Sequence, residues 1–399
     1  MRHASPLPRA FAAVDRCMRR AAAEGVFPGA VLLVALGGRV LVHRAYGVTD
    51  FESGRPVTAA TAFDLASLTK PLATALCLLR LGEQKRVAIA RPLSHFLPAF
   101  EGGDKAGVTL AHLLRHTSGL PDHRPFFRTL VSLPAGGRGA ALEERIRREP
   151  LLFPPGARTL YSDLGFMLLG RVVEAVTGRP LDRAAAELVY RPLGLEEELF
   201  FLPDAAPRPA RSFAATERCP FRGRLLCAEV HDENAWALGG VAGHAGLFGT
   251  AAGVFGLLEE LRRARQGRGR LFSAAAAAAF LRPRPAGGRT LGFDVPQEPD
   301  PSCGRGFSRQ SVGHLGFTGT SFWLDLERGL AVVLLTNRVH PSRENLLIRA
   351  FRPALHQAVG RALGDGPPAR PQAEAAPQEA GPHAAEPPHA LSLSAATAL

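Results

Sequence analysis

Lysine is nearly missing from this sequence. Lys70, Lys85 and Lys105 are its three lysines, although Lys and Arg together make up 48 of 399 residues. Positive charge is carried by arginine, which stays protonated in proteins, so a retained lysine points to a place that needs a titratable amine. Aromatic residues are sparse as well, at 7%, and no basic block is interleaved with them. The net charge of +12 therefore reads as arginine spread over a solvated surface, and no nucleic-acid partner is expected. No apolar run approaches the roughly 20 residues of a membrane-spanning helix. The five cysteines, Cys17, Cys77, Cys219, Cys227 and Cys303, are odd in number and lack C-x-x-C spacing. They predict a reduced, intracellular set rather than disulfides or a zinc site. Met1-Arg2-His3-Ala4-Ser5-Pro6 has no apolar signal core, so a cytoplasmic location is expected.

Two common catalytic signatures are also missing. There is no G-x-S-x-G elbow, which excludes the α/β-hydrolase arrangement. His112-Leu113-Leu114-Arg115-His116 lacks the glutamate of H-E-x-x-H, so both histidines are expected to cap or pack their own helix. His231, Asp232, Glu233 and His244 could be drawn as a metal cluster, but they read better as a loop network at a cleft. No cofactor is expected.

With 46% hydrophobic residues the chain can bury one large core or two smaller ones. Residues 11–24 are predicted helical, and 30–36 and 39–47 form a hairpin across Gly37-Gly38. A largely helical stretch follows, with helices at 109–116, 142–149, 165–177 and 273–280. Strands return near 311–316, 320–326 and 329–336, before a closing helix over 345–363. Strands at both ends around a helical middle predict an α+β fold, a three-layer αβα unit with an inserted helical region and a mainly antiparallel sheet built from both chain ends. The expected organisation is an N-terminal extension over 1–10 and one unit over 11–362. Within it the α/β part takes about 11–66 and 285–362, and the helical part about 67–284. Residues 365–399, rich in Pro, Ala, Glu and His without an apolar face, predict a disordered tail.

Ser67-Leu68-Thr69-Lys70 is the most informative stretch. Residues at i and i+3 are neighbours on a helix, so Ser67 Oγ and Lys70 Nζ can meet. Pro71 falls in the first turns, where its missing N–H costs little, and Ala73 to Leu79 continues as an apolar helix. The positive end of that helix favours an alkoxide at Ser67, and together with burial it is expected to push Lys70 toward its neutral form. Tyr161-Ser162-Asp163 precedes a second helix and offers a phenol able to relay a proton. His314-Leu315-Gly316-Phe317-Thr318-Gly319-Thr320 is a glycine-spaced strand that can lie against a substrate and aim a backbone N–H at an oxyanion. Gly239 to Phe248 is expected to be a flexible cleft wall.

This order, Ser-x-x-Lys, then Tyr-x-Asp, then His-x-Gly near the C-terminus, resembles the serine β-lactamase and penicillin-binding-protein superfamily. The chain is most similar to class C β-lactamase-like hydrolases, including esterases and D-aminopeptidases, over roughly residues 11–362. Phe27-Pro28-Gly29-Ala30, Leu113 to Pro121 and Val332 to Arg338 add to the likeness. The resemblance implies that Ser67 is the acylated nucleophile, Lys70 its base or proton shuttle, and Tyr161 the group that completes the base and protonates the leaving group. It places Phe317 N–H with Ser67 N–H in an oxyanion hole, and His314 where the family most often has lysine. Asp163 stands in place of the more frequent asparagine. Because His314 offers a cation only at lower pH, esters, amides or peptides are the expected substrates, with weak β-lactamase activity at most. The alternative is a binding protein that kept the fold and lost turnover.

Overall fold

The computed structural model describes residues 8–204, 207–282 and 288–364. The tail expected over 365–399 and most of the extension expected over 1–10 lie outside the described residues. Helix α1 (Ala12–Ala23) leads into β1 (Gly29–Leu36) and β2 (Arg39–Gly47). The turn between the strands has φ of 59° at Gly37 and 88° at Gly38, the doubly positive conformation that matches strand twist in a tight hairpin. Helix α2 (Leu76–Glu83), α3 (Asp163–Thr177) and α4 (Ala251–Arg265) belong to the long middle segment. The chain then returns as β3 (Ser311–Leu315), β4 (Ser321–Asp325) and β5 (Leu330–Thr336), and closes with α5 (Ile348–Ala362).

All five strands join one antiparallel sheet in the order β2-β1-β5-β4-β3. The centre is β1 against β5, with Leu32 opposite Leu334 and Val34 opposite Val332, so the sheet is indeed assembled from both ends of the chain. Both faces of these two strands are covered, which is why their sequences run apolar without alternation. On one face Leu32, Val34, Val332 and Leu334 pack with Val14 and Met18 of α1 and Phe351, Leu355 and Val359 of α5. On the other, Val31, Leu33, Val333 and Leu335 pack with Val254, Leu257, Leu258 and Leu261 of α4 and with the Ser67 region. This is the α+β, three-layer architecture the strand pattern predicts.

Some boundaries moved for identifiable reasons. The helix expected over 109–116 spans Leu110–Leu114, because Thr109 and His112 close a reciprocal cap at its start and His116 takes φ of 58° just past its end. Ser67 does not open a regular α-helix. It sits in a 3₁₀ turn, Ala66–Leu68, followed by a π-helical turn over Lys70–Ala75 before α2 begins. Pro71 lacks the N–H that would donate within a regular first stretch of helix, and wide π turns of this kind recur at functional sites.

Leu334 is completely buried between the sheet and the two terminal helices. Leu334→Ala should cost about 2–5 kcal/mol, read as a lowered thermal midpoint, while Ser67 keeps its reactivity toward an active-serine probe below that midpoint.

Candidate active site

A two-residue strand, Phe63–Asp64, delivers the chain to Ser67. Ala66, immediately before it, has φ of 48°, a left-handed conformation that costs on the order of 1–3 kcal/mol for a residue with a Cβ. Two bonds hold it there. Ala66 N–H donates to Asp64 Oδ1 at 2.8 Å, and Thr69 Oγ1 donates to Ala66 O at 2.6 Å. The twist presents Ser67 at the edge of a cleft of about 330 Å³ whose lining includes Tyr161, Arg289, His314 and Phe317.

Lys70 is fully buried beneath Ser67. Its Nζ donates to Ser67 Oγ at 3.0 Å and to His244 O at 3.0 Å, and lies 2.7 Å from Asp163 Oδ1. All three N–H bonds of the ammonium are thus used. Tyr161 lies over it, with Nζ 4.9 Å from the ring centre. The expected drift of Lys70 toward neutrality is not what the structure shows. Burial does act to lower its pKa, but the charge of Asp163 and the nearby Tyr161 outweigh it, and the net direction is up. Asp163 is held well below the usual carboxylate range: burial opposes this, but Lys70 and His123, whose Nδ1 is 3.7 Å away, prevail. Asp163 also opens α3, where the helix dipole favours an anion. The depressed Asp163 contributes stability above the ordinary carboxylate range that is lost only in strong acid. The raised Lys70 contributes stability at and below neutral pH that is lost only in strong alkali. The pair stays ionised throughout the range between.

Tyr161 is held from behind by His116, which was expected to serve its own helix. The His116 ring stacks on Tyr161 with centroids 4.5 Å apart at 29°, and its Nδ1 accepts the Ser162 N–H at 2.9 Å. Burial, then the charges of Arg289 and Lys70, keep His116 neutral. It falls within Leu113 to Pro121, which adds to the family likeness, but no spacing in the sequence marked it as a partner of Tyr161.

His314 lies on β3 facing Tyr161, with ring centroids 6.0 Å apart. Its Nδ1 donates to Leu315 O at 2.9 Å. His314 was expected to offer a cation only at lower pH, and burial, then Lys70 and Arg289, hold its pKa well below 6.5. Gly316 is required by close approach: a Cβ there would lie 2.0 Å from Thr320 Oγ1 and 2.8 Å from Leu65 O. Phe317 follows, 49% exposed as a residue, with its ring stacked on His231. The fixed positive charge of the cleft comes from residues that spacing did not single out, Arg289, Arg338, Arg349 and Arg352. Arg289 is ion-paired with Asp294 and sits 5.1 Å from the Tyr161 ring centre; no local pattern marks it.

The segment expected to be a flexible wall is bound at several points. Besides His244 O on Lys70, Gly243 O accepts from Thr74 Oγ1 at 2.7 Å, and His244 Nε2 meets Asp232 Oδ1 at 2.9 Å. His231 pairs instead with Glu217 at 3.4 Å and Glu233 with Arg343, so the four residues drawn as a possible metal cluster do not converge; Asp232 and His244 pair with each other and the other two turn to residues outside the set. Among the described residues, Glu217, Cys219 and Glu233 are the metal-ligand types that converge, and the Arg343 guanidinium already pairs with both carboxylates.

A family model described as Beta-lactamase matches residues 14–355. The chain belongs to the beta-lactamase family. Relatives include the "N-acetylmuramyl-L-alanine amidase" of Bacillus subtilis (strain 168), 34% identical over 82% of this chain and 80% of its own length. A protein named "Putative D-alanyl-D-alanine carboxypeptidase" from Escherichia coli (strain K12) is 32% identical over 79% of each chain. Among solved structures, "EstCE1, a hydrolase with promiscuous acyltransferase activity" superposes with a TM-score of 0.66 at 27% identity, covering 86% of this chain and 99% of its own. As a member of the beta-lactamase family with such relatives, the chain is a serine hydrolase acting on ester or amide bonds.

Asp163→Asn removes the carboxylate that keeps Lys70 charged. The pH dependence of fluorophosphonate labelling should then shift its rising limb to lower pH by about one unit or more, a tenfold gain in neutral amine at fixed pH. An unmoved limb would mean that Asp163 does not set the protonation of Lys70.

Proposed function

We propose that Ser67 is the nucleophile of this hydrolase and is acylated by an ester or amide substrate, water then releasing the acyl group. The observation that carries the reading is the fully buried Lys70 ammonium donating to Ser67 Oγ at 3.0 Å. A cation against that oxygen favours the alkoxide as it forms. Turnover runs through the minor fraction in which Lys70 is a neutral amine: that amine takes the proton leaving Ser67, becomes the ammonium, and passes the proton by way of Tyr161 to the leaving group. The N–H groups of Ser67 and Phe317 receive the carbonyl oxygen as it gains charge. Asp163 is assigned to Lys70 and not to substrate, since the ammonium occupies it.

The make-up of the cleft supports a substrate class. His314 is neutral, and the guanidiniums of Arg338 and Arg352 bond to backbone carbonyls, so no lysine-like point charge projects from β3 toward a substrate carboxylate. Simple esters and small peptide amides fit this arrangement better than β-lactams. The names of the amidase, carboxypeptidase and esterase relatives support the same class. A binding protein without turnover would have no reason to hold a serine, a lysine and a tyrosine within this geometry.

Ser67→Ala should abolish p-nitrophenyl ester turnover and covalent labelling with the fold intact, as judged by circular dichroism. Lys70→Arg should lose at least a tenfold factor in rate, about 1.4 kcal/mol, since guanidinium cannot cycle its proton. Tyr161→Phe should lose about two to four orders of magnitude. Wild-type turnover in Ser67→Ala would overturn the reading, and hydrolysis of nitrocefin faster than of any simple ester would overturn the substrate class.

A further inference from the structure

The turn that carries Phe317 is gripped from two sides, and the second grip has no part in the scheme above. On the side of the nucleophile, Thr318 Oγ1 donates to Asp64 O at 2.8 Å and Thr320 Oγ1 to Leu65 O at 3.1 Å. These bonds fix the distance between the turn and the segment just before Ser67. On the far side stand two arginines. Arg338 donates to Phe317 O through Nε at 2.9 Å and Nη2 at 2.5 Å, while its Nη1 is anchored on Arg343 O and Asn345 O, both at 2.7 Å. Arg352, on α5, donates through Nη2 to Thr320 O at 2.9 Å and Gly316 O at 3.3 Å.

We infer that Arg338 and Arg352 are positioning residues for the oxyanion hole: they fix the two peptide planes on either side of Phe317 so that its N–H stays aimed at the substrate carbonyl. The inference rests on Ser67 being the nucleophile. The geometry divides the task between them. The Phe317 N–H shares its peptide unit with Gly316 O, so a cationic donor on that oxygen polarises the amide and strengthens the N–H as a donor. Phe317 O belongs to the next peptide, and the fork of Arg338 keeps that plane from rotating. Two of the turn's carbonyls are thus tied to guanidiniums, while the intervening Phe317 N–H, on the cleft wall, has no backbone acceptor of its own among the described residues.

Burial of these side chains supports a structural grip over a surface role. Arg338 and Arg352 are 5% and 6% exposed, and no carboxylate pairs with either among the described ion pairs. Two desolvated cations are therefore met mainly by carbonyl dipoles, with Arg352 Nε buried and without a partner, an arrangement that costs desolvation energy and in which both guanidiniums bond carbonyls of one five-residue turn. Gly319 completes it. Its φ is 106°, and a Cβ there would lie 2.5 Å from Arg338 Cγ, so the turn and the arginine stem fit only with glycine between them.

Arg338→Lys tests the grip, because an ammonium keeps the charge but cannot bridge Phe317 O to Arg343 O and Asn345 O at once. Arg352→Lys makes the same comparison on the other peptide, so one of the pair suffices where the other is too unstable to purify. The expected result is a fall in kcat for a p-nitrophenyl ester of about ten- to a hundredfold, below the hundred- to thousandfold seen when a donor is deleted outright. KM should stay within about threefold, and affinity for phenylboronic acid, which mimics the tetrahedral state, should fall by the same factor as kcat. Unchanged kcat, or a fall in kcat without the matching loss of boronate affinity, overturns the inference. Labelling of the wild type at a residue other than Ser67 would instead overturn the assignment of the nucleophile on which it rests.

Discussion

One buried ammonium ties the cleft together. Lys70 spends its three N–H bonds on three separate parts of the chain: the Ser67 turn, the first residue of α3, and the loop at His244. Those parts lie far apart in sequence, and no apolar contact would set their mutual distances to the tolerance that acyl transfer needs. The charge must be kept for this to work, and Asp163 keeps it. The same carboxylate that organises the cleft also holds back the proton transfer that would free the amine. Structural order and chemical readiness are therefore in tension at a single residue pair, and the resting state favours order.

Two of the surrounding groups are kept from adding a titrating charge beside this pair. His116 and His314 flank Tyr161 on two sides, and both are driven neutral by burial and by the cations around them. Each has one ring nitrogen engaged with a backbone group, which fixes its ring plane. They act as rigid walls that hold the phenol in place. Had either been protonated, it would have competed with Lys70 for Asp163 at short range.

Much of this was legible in the sequence, and the boundary of legibility is physical. Continuous apolar runs exposed β1 and β5, which are buried on both faces, the glycine turn exposed β2, and periodicity exposed α3, whose cap at Ser162 and terminal Gly178 are local signals. Ser67, Lys70 and Tyr161 stood out because their chemistry demands particular residue types at a particular spacing. The state of Lys70 did not, since it depends on a carboxylate 93 positions away whose approach no local pattern encodes. Arg338 and Arg352 were hidden for a related reason. In a chain that uses arginine almost everywhere for charge, two buried ones look like all the rest until their carbonyl partners are known. The π-helical turn at Lys70 was invisible because the same apolar residues suit either helix.

The pairing of β1 with β5 has a consequence for how the molecule comes into being. The hairpin made by β1 and β2 is finished by residue 47, yet its central partner begins at residue 330. At a ribosomal rate of about 5–20 residues per second, the hairpin waits on the order of tens of seconds with Val31, Leu33 and their neighbours uncovered. During that interval an unpaired, largely apolar edge is available to other nascent chains. Correct assembly thus depends on the tail of the message being read promptly, and a stalled or truncated product would present its most adhesive surface rather than a smaller folded domain.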